Sequence, residues 1–161
     1  MMQQKSLTIL AWLALTLSAL FAAPAMADDI GGSKKLGLGI AGGYYSNVLT
    51  AKYYLQDKAA IQGFVGAYQF EGLSLAVDYV VEPVELAKGG AGRLFLGVGG
   101  GADFWSWGSY SAIGVHAIVE LGWHFKALPL EFVADWRPTF LIGDSGGFAG
   151  RGGHGAVRWY F

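Results

Sequence analysis

Apolar and polar residues alternate one by one along most of the chain after residue 35. A two-residue period puts successive side chains on opposite faces of an extended strand. It predicts eight strands and no amphipathic helix. The first covers about 35–44, with Leu36, Leu38 and Ile40 opposite Gly37, Gly39 and Ala41. The second covers about 47–56, with Leu49, Ala51, Tyr53 and Leu55 opposite Thr50, Lys52 and Tyr54, and Gln56-Asp57-Lys58 reads as a tight turn. In the third, about 59–70, Ile61 and Val65 compete with Phe64 and Tyr68 for the apolar face. The fourth has the cleanest alternation: Leu73, Leu75, Val77, Tyr79 and Val81 against Ser74, Ala76, Asp78, Val80 and Glu82. Residues 83–92, rich in Pro, Gly and charge, read as a connection.

The fifth strand covers about 93–103, with Leu94, Leu96 and Val98 out and Arg93, Phe95, Gly97 and Gly99 in; a connection near Trp105-Ser106-Trp107-Gly108 follows. The sixth covers about 111–124, with Ile113, Val115, Ala117, Val119, Leu121 and Trp123 against Gly114, His116, Ile118, Glu120 and His124. In the seventh, about 130–142, Phe132, Ala134, Trp136 and Phe140 face out and Glu131, Val133, Asp135 and Arg137 face in. A Gly-rich stretch, 143–150, leads to the eighth, about 151–161. There Val157, Trp159 and Phe161 alternate with Ala156, Arg158 and Tyr160.

Composition explains what such strands would build. The chain is 53% hydrophobic and only 14% charged, where soluble domains carry about 25% charge. The apolar surplus has to face something other than water. All 26 Gly follow residue 30. They make up about one residue in five of the remaining chain, against about 7% in ordinary proteins. They follow no collagen period, and only four Pro accompany them. Glycine on the inner face of a narrow barrel lets the walls approach closely. Cysteine is absent, so disulfides play no part.

Residues 1–27 read as a cleavable export segment: Lys5 is a short positive start, Leu7 to Phe21 an apolar run, and Ala25-Met26-Ala27 a cleavage site. The run is too short to cross a bilayer comfortably as a helix, which needs about 20 residues. The mature chain then begins at Asp28, and residues 28–161 form one domain. Its net charge, −1 for the whole chain and near −2 without Lys5, gives no sign of nucleic-acid binding.

An exported chain of eight alternating strands that ends Gly155-Ala156-Val157-Arg158-Trp159-Tyr160-Phe161 resembles the small eight-stranded outer-membrane β-barrels of the OmpA/OmpX type. The Gly-alternating strand Leu36–Gly42 and Pro129-Leu130-Glu131-Phe132 support the resemblance. It implies an all-β, antiparallel up-and-down transmembrane barrel over 28–161. It implies location in the outer membrane of a Gram-negative bacterium, with outer-membrane lipid and the barrel-assembly machinery as partners. The last residues, Trp159, Tyr160 and Phe161, would carry the assembly signal. The connections after strands one, three, five and seven would face outside the cell. The resemblance departs from OmpA in two respects: neither long external loops nor a trailing wall-binding domain is expected from residues 28–161, so a wall-anchoring role is not expected.

Candidate chemistry is sparse. Gly37-Leu38-Gly39-Ile40-Ala41-Gly42 matches a dinucleotide fingerprint, but such a site needs a following helix, and a further alternating strand follows instead. Gly97–Gly101 lacks the Lys-Ser/Thr of a phosphate loop. His116 and His124 share a face but stand about 26 Å apart along a strand, at about 3.3 Å per residue. They cannot share an ion; His154 could approach His116. No metal or cofactor is expected. Glu120, Asp135, Arg137 and Arg158 all point inward, and simple hairpin register places Asp135 near Arg158 and Glu120 near Arg137. Asp78, Glu82 and Arg93 form a similar set between strands four and five. Unpaired charges in a narrow lumen cost several kcal/mol, so a ladder of ion pairs is expected.

The expected role is structural or surface-interacting, without enzymatic activity and with the ligand unspecified. One alternative is a lipid-modifying barrel enzyme, which would use a Ser/His/Glu set; Ser111 has the wrong parity to join His116 and Glu120. The other is a secreted soluble barrel that carries a small apolar ligand.

Overall fold

The computed structural model describes residues 30–43, 46–68, 72–142 and 146–161. The export segment and cleavage site expected over 1–27 lie outside the described residues. Among the described residues nine strands are present: β1 (Leu36–Gly43), β2 (Ser46–Gln56), β3 (Ala59–Tyr68), β4 (Gly72–Gly89), β5 (Gly92–Trp107), β6 (Tyr110–Phe125), β7 (Leu130–Ile142), β8 (Gly147–Gly152) and β9 (His154–Tyr160). Each pairs antiparallel with its neighbour in sequence from β1 to β7. β7 pairs with both β8 and β9, and β9 returns to pair with β1. The sheet is therefore a closed eight-stave barrel in which β8 and β9 form one stave, interrupted at Gly153. Closure leaves no open sheet edge around the wall.

The alternation decides the faces. Leu38, Ile40, Leu49, Val77, Ile113, Trp136 and Phe140 stand exposed on the outside, while Lys52, Tyr54, Asp78, Phe95, Ile118, Glu120, Glu131 and Arg158 are buried within. The third strand's ambiguity resolves by burial: Gln62 and Phe64 point inward, Ile61 and Val65 outward.

Three connections differ from expectation. Residues 83–92 are not a loop: β4 runs through Pro83 to Gly89 and turns at Gly90-Ala91. Pro83 falls in the register shift between Val81 and Val84, where the ladder does not require its missing N–H. Pro138 falls in the same kind of shift, between Arg137 and Thr139. β5 likewise continues through Trp105 to Trp107, and the chain turns at Gly108-Ser109, where Gly108 adopts φ +57°. The last stave begins at Gly147 rather than 151, inside the Gly-rich stretch.

Inward glycines make room for neighbouring side chains. Gly122 faces Phe95 across β5–β6, and a Cβ at Gly122 would collide with the Phe95 ring. A Cβ at Gly37 would lie 2.6 Å from Cζ of Tyr160. A narrow lumen holds large side chains only if the facing position is empty.

We expect Gly122→Val to destabilise the refolded barrel by about 1–3 kcal/mol, the usual cost of overpacking. Gly63→Ala, whose Cβ meets nothing closer than 3.7 Å, should change stability by less than about 0.5 kcal/mol. Urea midpoints measure both, and equal midpoints for Gly122→Val and the unmodified chain would place Phe95 elsewhere.

Candidate functional site

Among the described residues, the buried charged and polar side chains gather in the lumen, where they fall into two clusters. The first centres on Lys52 of β2. Its Nζ donates to Glu82 Oε1 of β4 at 3.0 Å, Glu120 Oε1 of β6 at 3.2 Å and Glu131 Oε1 of β7 at 2.9 Å. An ammonium has three N–H donors, and each finds a carboxylate. All four side chains are essentially excluded from solvent. Arg158 of β9 lies beside them, with Nη1 3.3 Å from Glu131 Oε2 and Nη2 donating to Gln62 Oε1 at 2.9 Å. Its Nε and Nη2 also reach Thr50 Oγ1. The Tyr160 hydroxyl donates to Glu131 Oε2 at 2.5 Å, and the Tyr54 hydroxyl donates to Glu82 Oε1.

Arg93 completes this cluster, donating from Nη2 to Glu82 Oε2 at 3.0 Å and lying 2.8 Å from His124 Nδ1. Arginine accepts no hydrogen bond, so Nδ1 of His124 is the acceptor. In the neutral ring the proton then sits on Nε2, which faces Glu131 Oε1 at 3.5 Å. Lys52, Arg93 and Arg158 balance Glu82, Glu120 and Glu131.

The second cluster lies toward the opposite end. Arg137 of β7 grips Asp135 with Nε and Nη2, both at 3.0 Å, and its Nη1 lies 2.9 Å from Asp78 Oδ2. The two-pronged contact suits a planar guanidinium. His116 sits between two carboxylates: Nε2 is 2.8 Å from Asp78 Oδ1 and Nδ1 is 2.9 Å from Asp103 Oδ2. The His154 backbone N–H donates to Asp135 Oδ1 at 2.8 Å, and its ring stacks on Phe64 with centroids 5.2 Å apart. Phe64 touches both clusters, with the Arg137 guanidinium 4.4 Å and that of Arg158 5.5 Å from its ring.

All seven residues expected to line the lumen, Asp78, Glu82, Arg93, Glu120, Asp135, Arg137 and Arg158, stand on inward positions, but several pair differently. Arg158 does not meet Asp135: β7–β9 register sets it opposite Glu131. Asp135 lies four residues further along, about 13 Å at strand rise. Glu120 does not meet Arg137. It faces Asp135 directly across β6–β7, and the two acids part, Glu120 to Lys52 and Asp135 to Arg137. Glu82 and Arg93 do pair, whereas Asp78 joins the other cluster. Lys52, Glu131 and Asp103 were not in the expected ladder, although parity along their strands already turned them inward. Of the last three residues, Tyr160 is buried in the lumen, Trp159 is half-buried and Phe161 is exposed.

Other candidates dissolve in this geometry. The Gly37–Gly42 fingerprint is strand β1, paired on both sides, and Gly97–Gly101 is β5. Ser111 is exposed, while His116 and Glu120 are buried in separate clusters. Glu82, His124 and Glu131 bring ligand-type atoms within 4.8 Å of one another. The Lys52 ammonium already fills the cation position, at 3.0 Å from Glu82 and 2.9 Å from Glu131. No protein-family model matches the chain, and no curated protein or solved structure matches it.

Lys52→Met should destabilise the folded barrel by about 3–5 kcal/mol, because three carboxylates lose their common partner. Adding Glu120→Gln should return part of that loss. Urea titration of both variants and of Glu120→Gln alone gives the coupling; additive effects would mean that Glu120 and Lys52 are independently solvated.

Proposed function

We propose that this chain is an integral outer-membrane β-barrel protein of a Gram-negative envelope, with a structural or surface-interacting role and no enzymatic activity. The carrying observation is inverted polarity. Leu, Ile, Val, Trp and Phe side chains cover the outer wall of the closed barrel, and Lys52, Asp78, Glu82, Glu120, Glu131, Arg137 and Arg158 are buried inside it. Soluble monomers rarely expose apolar patches beyond a few hundred Å², whereas transmembrane barrels alternate apolar-out and polar-in. Strands of 10 to 18 residues in β2 to β6 suffice for a tilted span, which takes about 9–11. The export-type N-terminal sequence and the alternating last strand ending in Phe161 support the same reading.

The lumen supports a closed rather than a conducting barrel, since Lys52, Arg158, Phe64 and their partners occupy its middle. It offers charged and hydrogen-bonded walls, which suit neither an apolar cargo nor a serine nucleophile. The barrel-assembly machinery and outer-membrane lipid are the partners this reading requires.

The protein should pellet with outer membranes and migrate faster in detergent gels before boiling than after. Recovery as a soluble species without detergent would overturn the reading. Deleting Phe161 should slow assembly in cells more than it lowers the urea midpoint of barrels already folded. Purified monomer in planar bilayers should give no reproducible porin-like conductance, and lipid A profiles should be the same with and without the protein.

A further inference from the structure

The six residues before β1 close the barrel end at which β1 begins and β9 finishes. Ile30-Gly31-Gly32-Ser33-Lys34-Lys35 carries one apolar side chain, that of Ile30. It is buried against Tyr54 of β2, Ala60 of β3 and Tyr160 of β9. β2 and β9 flank β1, so one side chain sits across the seam at which the wall closes. The backbone turns tightly to place it. Ile30 bridges Lys34, and the Gly31 N–H donates to Lys34 O at 3.0 Å. Gly31 adopts φ +90°, a conformation open to glycine and costly for other residues. A Cβ there would lie 2.8 Å from Asp57 O in the β2–β3 turn. Lys35 O then accepts from the Tyr54 N–H at 2.9 Å.

Beneath Ile30 lies the Lys52 cluster. The Tyr54 and Tyr160 rings stand 5.9 Å apart by centroid, both excluded from solvent. Their hydroxyls donate to Glu82 and Glu131, two of the three acids on Lys52. The His124 ring packs against both, 6.4 Å from Tyr54 and 6.2 Å from Tyr160. On the outer side, Ile30 lines a cavity of about 100 Å³ together with His124 and Arg93, and the Arg93 side chain is 20% exposed. Solvent thus comes as far as Arg93 and the edge of the turn, while the two tyrosines stay dry.

We propose that residues 30–35 are a lid on this mouth of the barrel. Docked, Ile30 keeps water from Tyr54 and Tyr160 and so from the Lys52 cluster. Released, the segment opens the cluster to water from this end while the wall stays closed. Two features make it a moving part. It lies outside the strand ladder, and Gly31-Gly32 supplies a hinge without side chains. Its docking draws on one isoleucine, whose burial is worth about ten- to a hundredfold in an equilibrium. Global unfolding of a folded domain opposes constants of about 10³ or more, so the lid opens far more often than the barrel unfolds. Water entering the cluster raises the local dielectric and weakens each ion pair. The position of the lid therefore sets the strength of the contacts that Lys52 makes. This inference does not depend on the membrane reading.

The chain has no cysteine, so Ile30→Cys, a small side chain that buries well, reports on the lid directly. In the folded protein its thiol should react with a maleimide about tenfold or more slowly than that of Lys58→Cys, which stands exposed in the neighbouring turn. In a urea series this protection should be lost before the global transition. Equal rates for the two cysteines would overturn docking. Protection lost only together with the whole fold would make the segment a fixed part of the wall and overturn the lid. Hydroxyl-radical footprinting, read residue by residue by mass spectrometry, tests what the lid covers. Gly31→Ala cannot hold the turn without strain, so it should raise oxidation of Tyr54, Tyr160 and His124 by about tenfold. Phe64 and His116, further along the lumen, should be oxidised as in the unmodified chain. An unchanged footprint, or an equal rise at all five residues, would refute a lid that governs this one mouth. If Gly31→Ala does not fold, the two cysteine variants decide alone.

Discussion

The larger of the two charge clusters inside this barrel depends on Lys52 meeting three carboxylates at once. A lone ammonium in a narrow, water-poor lumen costs several kcal/mol, and so does each glutamate around it. The three contacts at 2.9–3.2 Å convert four unfavourable burials into one compensated group. Arg93 then occupies the remaining oxygen of Glu82, Arg158 and the Tyr160 hydroxyl occupy that of Glu131, and the Tyr54 hydroxyl shares Glu82 Oε1 with Lys52. The glycines follow from the same constraint: Gly97 lies opposite Glu120, where a Cβ would strike the Glu120 side chain. Removing bulk from one strand is what lets the next strand carry a charge inward.

Much of the architecture was legible because a two-residue period is a direct statement about faces. Leu73 to Val81 and Ile113 to Trp123 could be assigned outward without knowing any partner strand. The ends of strands were harder to read. Pro83 and the Gly-rich hairpin tip read as a loop because local chemistry does not reveal a bulge that tolerates proline. The Trp105–Trp107 segment read as a turn because aromatic and small residues suit either setting. The third strand was ambiguous because Ile61, Phe64 and Val65 are all apolar, and only burial separates them.

The lumen was legible as a list of inward residues and illegible as a set of pairs. Parity turns Glu120, Asp135 and Arg158 inward, but pairing depends on register and on reach across the lumen. Glu120 looks across the ladder at Asp135, a like charge, and therefore takes its partner from a strand four staves away. Lys52 shows why adjacency fails as a guide: none of its three carboxylates is on β1 or β3, the strands it pairs with.

That placement bears on how the barrel comes to exist. Lys52 reaches partners 30, 68 and 79 residues away in the chain. A hairpin, or any run of the first few staves, holds the ammonium with at most one of its three acids. The ion cluster is complete only after β7 has arrived, and Arg158 on β9 adds the last cation as the wall closes. Intermediate sheets thus expose uncompensated charge on one face and apolar side chains on the other, and neither solvent suits both. The energetic reward is concentrated in the closing step, so the folding transition should be steep, and partly built sheets should be short-lived unless another protein shelters them.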